Sequence, residues 1–346
     1  VTDWFAAGGS GPRITEQILH LFPGCQLFAI ADVMPEDERM ILRGKRVNTS
    51  FIQTMPGTET GNLLRYLPLM PYAIESLDFS DYDLIISNSH AFAKGIVTDS
   101  NQLHICYCHS PLRFAWDIHS NFFAFSNNRT RVQRLLSRVK KIINTNFLHR
   151  MRQWDVSTSN RVDAFIANSQ FTASRIDKFY RRPSDVVYPP GDARIFKPDP
   201  SAARSFYVTA ATMLPYKKID VIIETFQKMP NRQLVVIGDG PEFGKIKRLI
   251  GRCPNITLLG YIPQEELVQH LQRAKAFITL AKEDFGITHM EAQACGAAVI
   301  ALESGGALEN IVPIGQENPT GLFVKEATSL ALTRAIDQFE ALPTPT

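Results

Sequence analysis

Cysteine is scarce in this chain and carries no pattern. The five cysteines, Cys25, Cys106, Cys108, Cys253 and Cys295, are an odd number with no C-x-x-C pair and no histidine at metal-ligand spacing. That argues against a disulfide framework or a zinc site and fits a reducing, cytoplasmic setting. Cys106 and Cys108 stand two apart in Leu-His-Ile-Cys-Tyr-Cys-His-Ser-Pro, so on a strand they share one face and read as buried thiols. Long apolar runs are missing as well: no stretch of about 18 residues reads as a membrane span, and none reads as a signal peptide. Net charge is small. A formal charge of +3 favours acidic ligands locally but falls far short of a dedicated nucleic-acid binder, so nucleic acid is not an expected partner. A dinucleotide fingerprint is also lacking, since G-x-G-x-x-G counted from Gly9 requires glycine where Ile14 stands, which weighs against a nicotinamide-dependent oxidoreductase. The chain opens at Val1 without methionine, as though a few residues of a first strand were missing.

What is present is βα alternation. With 346 residues, 45% of them hydrophobic and 21% charged, the chain is globular and too long for one ordinary core, and it suits two domains of roughly 150 residues. Short apolar runs at 27–30, 84–87, 104–108 and 164–167 read as buried strands of a parallel sheet separated by helical segments. Tyr188-Pro-Pro-Gly-Asp-Ala-Arg-Ile-Phe-Lys-Pro-Asp-Pro holds four prolines and a glycine, which neither helix nor strand tolerates. The expected organisation is a domain over 1–190, a linker over 191–204 and a second βα domain over 205–346. Two doubly wound domains of this kind bind ligands at the carboxyl ends of their strands, so the active site is expected in a cleft between them.

The most informative stretch is Glu283-Asp-Phe-Gly-Ile-Thr-His-Met-Glu291, two carboxylates around a glycine turn at a helix start. A carboxylate can accept from two hydroxyls of a sugar at once, and a helix start offers N–H groups to a diphosphate. Here Glu283 faces a hexose, amides near Phe285, Gly286 and Ile287 hold hydroxyls and phosphate, and Glu291 takes ribose hydroxyls. The competing account of Glu291 is a capping box with Thr288 as cap, which does not require Glu283. Ala210-Ala-Thr-Met-Leu-Pro-Tyr-Lys217-Lys218 puts Lys217 beyond a strand end, where a cation neutralises a diphosphate. Gly238-Asp-Gly240-Pro241 is a strand-to-helix turn that can meet a nucleotide through its backbone, although a tight turn alone explains its glycines. Tyr261 and Ile262, after the next strand, can flank a base. Asp81-Tyr-Asp83 has the D-x-D form of a manganese motif but precedes a strand instead of following one, so a solvated loop and no metal are expected.

The acid pair resembles the E-x7-E motif of the retaining GT-B glycosyltransferases of family 4, and the order of motifs is preserved along nearly the whole chain. The resemblance implies a fold of two Rossmann-like domains facing a central cleft. It also implies hexose transfer with retained configuration from a nucleotide diphosphate sugar, with no other cofactor and no metal. Gly8-Gly9-Ser10-Gly11 resembles the family's loop over the diphosphate and donor sugar, placing Gly8 and Gly9 at the donor. The basic segment is similar to an Arg-x4-Lys clamp, with Thr212 standing where arginine is expected. Tyr107-Cys-His109-Ser-Pro resembles a segment whose histidine lies beside the transferred sugar, in a subgroup making bacterial surface polysaccharides. On that likeness His109 joins Glu283 as a catalytic candidate, with Arg113 and Asp117 as acceptor contacts. UDP-glucose is the first expectation for the donor and GDP-mannose the alternative. The expected acceptor is a polyprenyl-diphosphate-linked oligosaccharide, reached by peripheral contact with the inner membrane from the cytoplasmic side. The helix expected over 129–154 carries Arg131, Arg134, Arg138 and Lys141 on one side and apolar residues including Ile142 and Ile143 on the other. It reads either as a membrane-surface helix or as one burying its apolar face. A two-domain sugar-binding protein without catalysis remains the alternative of another class.

Overall fold

The computed structural model describes residues 1–6, 11–59, 61, 63–117 and 131–342, the side chains of 37 and 131–141 excepted. The chain divides into two units, Val1–Pro189 and Pro190–Thr346.

In the first unit the elements run β1 (Thr2–Phe5), α1 (Gly11–Leu21), β2 (Leu27–Asp32), β3 (Val47–Thr49), α2 (Met70–Glu75), β4 (Leu84–Ser89), β5 (Leu103–Cys108), α3 (Arg113–Trp116), α4 (Arg131–Thr158), β6 (Ala164–Ala167), α5 (Gln170–Tyr180) and β7 (Asp185–Val186). Among the described residues the strands form one parallel sheet of order β3-β2-β1-β4-β5-β6-β7. Sequence order reverses between β1 and β4, which makes the carboxyl ends of those strands the place where connections diverge and a ligand crevice opens. Cys106 and Cys108 are both buried and unbridged, packed with Phe165 and Ile176.

A buried charge pair fixes α4 to this sheet. Lys94 Nζ lies 3.0 Å from the Asp155 carboxylate, which also accepts from the Trp116 indole and the Tyr180 hydroxyl. Both charges are shielded from water, so each is tolerable only because the other is there. Among the described side chains of α4, Leu148 and Met151 join the core, whereas Ile142 and Ile143 are 63% and 60% exposed. The expectation that an ordinary amphipathic helix buries those two isoleucines is therefore corrected. The remaining residues of that expected face lie outside the described side chains.

The second unit repeats the plan with β8 (Phe206–Ala210), α6 (Ile219–Gln227), β9 (Leu234–Ile237), α7 (Phe243–Ile250), β10 (Ile256–Gly260), α8 (Gln264–Arg273), β11 (Ala274–Thr279), α9 (Ile287–Ala294), β12 (Ala298–Leu302), α10 (Ala307–Asn310), β13 (Gly321–Val324) and α11 (Ser329–Glu340). Its parallel sheet has the order β10-β9-β8-β11-β12-β13, so the reversal falls between β8 and β11. All four residues of β9 are buried, as expected of a parallel strand covered by helices on both faces. Phe196, from the proline-rich stretch, packs into the core of this unit beside Val208 and Leu271. Burying such an aromatic side chain contributes about 1.5–3 kcal/mol, which anchors the segment after Pro190 to the second sheet.

Candidate functional site

At the reversal of the second sheet the segments leaving β8 and β11 meet. A turn over Pro215–Lys217 follows β8, and Lys218 then adopts a left-handed conformation (φ 57°) at the start of α6. This bend carries Lys217 towards the loop after β11, where its Nζ stands 2.6 Å from Glu283 Oε1. The two side chains are 16% and 18% exposed, leaving little water to satisfy either charge. A partly buried pair of this kind is held by a charge-assisted hydrogen bond.

The Glu283 loop is seated by backbone contacts. The Glu283 carbonyl accepts from Gly306 N–H at 2.9 Å. A Cβ at Gly305 would sit 2.2 Å from that carbonyl oxygen, and one at Gly306 would sit 2.4 Å from Phe285 Cα. The Gly-Gly step after β12 thus exists to let two loops approach. Asn310 donates its amide to the Phe285 carbonyl, which fixes the entrance to α9. Gly286 occupies the cap of α9 with φ 88°, and its missing Cβ makes room for the buried His289 ring, whose Nδ1 would otherwise lie 2.3 Å away. Burial holds the His289 imidazole below its ordinary pKa, with the Glu283 charge opposing. The capping-box account of Glu291 is corrected here: the helix starts at Ile287 with Gly286 as cap and no side-chain cap bond, so Thr288 lies inside the helix. Glu291 follows one turn in and is buried.

The neighbouring strand ends are stitched to the same edge. Met213 N–H donates to the Asp239 carbonyl and Gly238 N–H to the Gly260 carbonyl. Gly238 has φ 124°, and a Cβ there would lie 2.0 Å from the Ala211 carbonyl oxygen. Close backbone approach is a sufficient reason for this glycine. Thr212 is exposed beside it; Tyr261 is exposed and Ile262 half-buried just beyond β10. Thr212, Lys217, Gly238, Tyr261, Glu283, Phe285, Gly286 and Ile287 all belong to segments leaving the carboxyl ends of the second sheet.

In the first unit, His109 follows β5 directly and is buried. Its Nε2 lies 2.6 Å from Asn88 Oδ1. Burial and the neighbouring His90 charge push its pKa down to about 4 against the opposing pull of Asp3, so the ring is neutral near pH 7. Asp3, on β1, spreads its carboxylate over the backbone N–H groups of His90, Ala91, Phe92 and Ala93 and over His90 Nδ1. Burial raises the Asp3 pKa, but the His90 charge and these hydrogen bonds outweigh it and hold the acid at about 2. Asp117, expected as an acceptor contact, has its carboxylate engaged by the Arg175 guanidinium, which also donates to Ser110. Arg113 opens α3. Gly8 and Gly9 lie outside the described residues. Asp81 and Asp83 are exposed before β4, and among the described residues no three His, Cys, Asp or Glu side chains gather as a metal site.

Sequence reasoning missed Asp3, Asn88, Arg175, the Gly305–Gly306 step and Asn310. A signal existed for Asn88, because a polar residue inside an apolar strand run needs a buried partner.

Residues 193–345 match the model described as Glycosyl transferases group 1. The chain carries a glycosyltransferase group 1 domain. It is 29% identical over 212 residues to a GDP-mannose-dependent alpha-(1-6)-phosphatidylinositol monomannoside mannosyltransferase of Mycolicibacterium smegmatis, covering 53% of this chain and 54% of that protein. To the GDP-mannose-dependent monoacylated alpha-(1-6)-phosphatidylinositol monomannoside mannosyltransferase of Corynebacterium glutamicum it is 31% identical over 192 residues, 47% of this chain and 49% of the relative. The chain thus spans about half the length of the curated relatives it matches. Among solved structures, Anabaena HepE in complex with UDP and glucose superposes with a TM-score of 0.67 at 18% identity, covering 98% of this chain and 89% of that one. Sucrose-phosphate synthase of Thermosynechococcus elongatus gives 0.69 at 17% identity, with 98% and 86% covered. These likenesses establish the fold as two Rossmann-like domains of the GT-B type. The glycosyltransferase group 1 domain contains Lys217, Glu283 and Glu291; His109 and Asn88 lie outside it.

Proposed function

We propose that this chain is a retaining glycosyltransferase that moves a hexose from a nucleotide diphosphate sugar to a lipid-borne glycan acceptor. The observation that carries the reading is the Lys217–Glu283 pair, 2.6 Å apart at the strand-order reversal of the second sheet. A lysine suited to a diphosphate and a carboxylate suited to sugar hydroxyls stand side by side, each engaging the other. On donor binding Lys217 turns to the diphosphate, Glu283 to the hexose and Glu291 to the ribose, with the amides of Phe285, Gly286 and Ile287 at the oxygens between. Tyr261, Ile262, Thr212 and the Gly238 turn border the nucleotide, and His109 is the first-unit residue assigned to the transferred sugar. Attack from the face of the departing diphosphate retains configuration: the leaving phosphate takes the acceptor's proton, while Lys217 and helix-start amides stabilise its growing charge. Neither a protein nucleophile nor a metal is part of this scheme.

GDP-mannose is the donor favoured by the names of the relatives at about 30% identity. UDP-glucose remains the second reading, favoured by Thr212 in place of the clamp arginine and by the UDP and glucose in the HepE complex. The acceptor proposed is a glycan on a polyprenyl diphosphate or comparable lipid, met at the membrane surface; none of the described helices is long and apolar enough to cross a bilayer. Thr212 also leaves room for a sugar-binding protein without turnover.

Thermal shift with GDP and UDP ranks the nucleotides, and release of label from GDP-mannose or UDP-glucose, even to water, separates an enzyme from a binding protein. Glu291→Ala is expected to raise the donor KM by about tenfold, the worth of one charged hydrogen bond, with kcat little changed. Absence of stabilisation by both nucleotides together with absence of turnover on both donors would overturn the reading.

A further inference from the structure

His109 is held by a chain of hydrogen bonds that reaches across the first sheet to α1. Asn88, buried near the end of β4, donates from Nδ2 to the Gly11 carbonyl at 2.8 Å and to Thr15 Oγ1 at 3.0 Å. A peptide carbonyl can only accept, so the atom of Asn88 that faces Gly11 is the amide nitrogen, and its oxygen must face the other way. That oxygen lies 2.6 Å from His109 Nε2. An amide oxygen also only accepts, so the imidazole proton sits on Nε2. The Asn88 main chain is fixed as well: its backbone N–H donates to the Val1 carbonyl, and its own carbonyl accepts from the Thr2 hydroxyl. The His109 carbonyl is pinned in turn by the Thr172 hydroxyl.

We infer that Asn88 is a positioning residue that locks His109 as the neutral Nε2–H tautomer, so that Nδ1 meets the substrate sugar as a hydrogen-bond acceptor for a hydroxyl and not as a proton donor. This rests on the functional reading above, in which His109 faces the transferred sugar. Among the described residues Nδ1 makes no hydrogen bond, which leaves its lone pair for a ligand. The charged and titratable groups around the ring are Asp3 on β1, His90 just after β4, Tyr107 on β5, edge-on at 5.3 Å, and Arg175 on α5, one residue away through Ser110. His90 and burial both disfavour a second ring proton, and Asp3 alone opposes them.

The test reads ring nitrogens in the full chain labelled with 15N-histidine, the His109 signals being assigned by their loss in His109→Gln. Expected near pH 7 is a protonated Nε2 and a bare Nδ1, persisting until the pH falls towards about 4. A protonated Nδ1 at neutral pH, in the Nδ1–H tautomer or as imidazolium, overturns the inference. Asn88→Asp supplies the second arm, because a carboxylate against Nε2 favours imidazolium and so removes the Nδ1 acceptor. GDP-mannose and UDP-glucose are then compared with GDP and UDP, which lack the sugar. The bound sugar nucleotide is expected to weaken by about tenfold, one hydrogen bond, with the plain nucleotide unaffected and the loss recovered as pH rises above the raised imidazole pKa. Equal weakening of nucleotide and sugar nucleotide, or no weakening of either, refutes the role given to Asn88. If the unaltered chain binds no sugar nucleotide at all, the functional reading fails, and the tautomer is judged by the ring nitrogens alone.

Discussion

Glu283→Gln changes one charge and almost no volume, so its consequences isolate the pair it forms with Lys217. The Nζ–Oε1 distance is 2.6 Å and neither side chain is more than a fifth exposed. A hydrogen bond between charged groups contributes about 1.5–3 kcal/mol, against roughly half that for a neutral one. Glutamine retains an acceptor oxygen, so the expected loss is about 1 kcal/mol in the ligand-free protein, a fall of about 2–4 °C in Tm. The same loss has the opposite effect on nucleotide binding. Lys217 must leave Glu283 to reach a diphosphate, and weakening the pair by about 1 kcal/mol should tighten GDP or UDP several-fold. Turnover should fall by at least about 100-fold, because Glu283 is the group assigned to the sugar. Calorimetric titration with GDP and UDP, a thermal scan and labelled-donor turnover read all three. Lys217→Met should weaken both nucleotides, and the double variant shows whether the two changes are coupled. Weaker nucleotide binding by Glu283→Gln, or turnover at the original kcat, would refute the assignment of these two residues.

The Asp3 nest predicts a pH dependence of stability. The Asp3 pKa is about 2 in the folded chain against an ordinary 3.8, worth about 2 kcal/mol. A depressed acid stabilises above its unfolded pKa, so this contribution is complete at neutral pH and drains away as pH falls from about 4 towards about 2. His90 runs the other way: burial lowers its pKa but the Asp3 charge outweighs it and raises it, so its contribution is full below the ordinary 6.5 and is lost as pH climbs through the raised value. Urea unfolding from pH 2 to 8 checks both, and Asp3→Asn should flatten the acid limb. Gly306→Ala should push the Glu283–Phe285 loop outward, since its Cβ would lie 2.4 Å from Phe285 Cα. A destabilisation of about 2–3 kcal/mol and loss of turnover are expected; wild-type kcat with unchanged Tm would show that the two loops need not touch.

Much of the fold was legible because buried parallel strands write themselves as apolar runs. The runs at 27–30, 84–87, 104–108 and 164–167 became β2, β4, β5 and β6 with shifts of at most two residues at the ends, where side-chain pattern no longer distinguishes strand from turn. The two glutamates and Lys217 were visible because local chemistry marks them: carboxylates flanking a glycine at a helix start, and a cation just past a strand. The competing capping-box account was attractive for a local reason too. Thr288 and Glu291 satisfy the spacing of a capping box, but the His289 ring fills the space beside Gly286, and the positive φ there starts the helix at Ile287, two residues earlier than a Thr288 cap would.

Composition and periodicity fixed the βα alternation, the proline-rich break between two units and the residue types at the strand ends, since each depends on neighbours within a few positions. Only folding in three dimensions decided the partnerships. Lys217 meets Glu283, Gly306 admits Phe285, Arg175 takes Asp117, and Asn88 sets the proton of His109, each across 20 to 70 residues of chain. A parallel sheet imposes this separation, because every adjacent strand must be reached through a crossover, and the groups that converge at its carboxyl edge are therefore distant in sequence. Hydrogen-bond direction across such contacts, which makes His109 an acceptor at Nδ1, follows from which atoms face each other and leaves no trace in the order of residues.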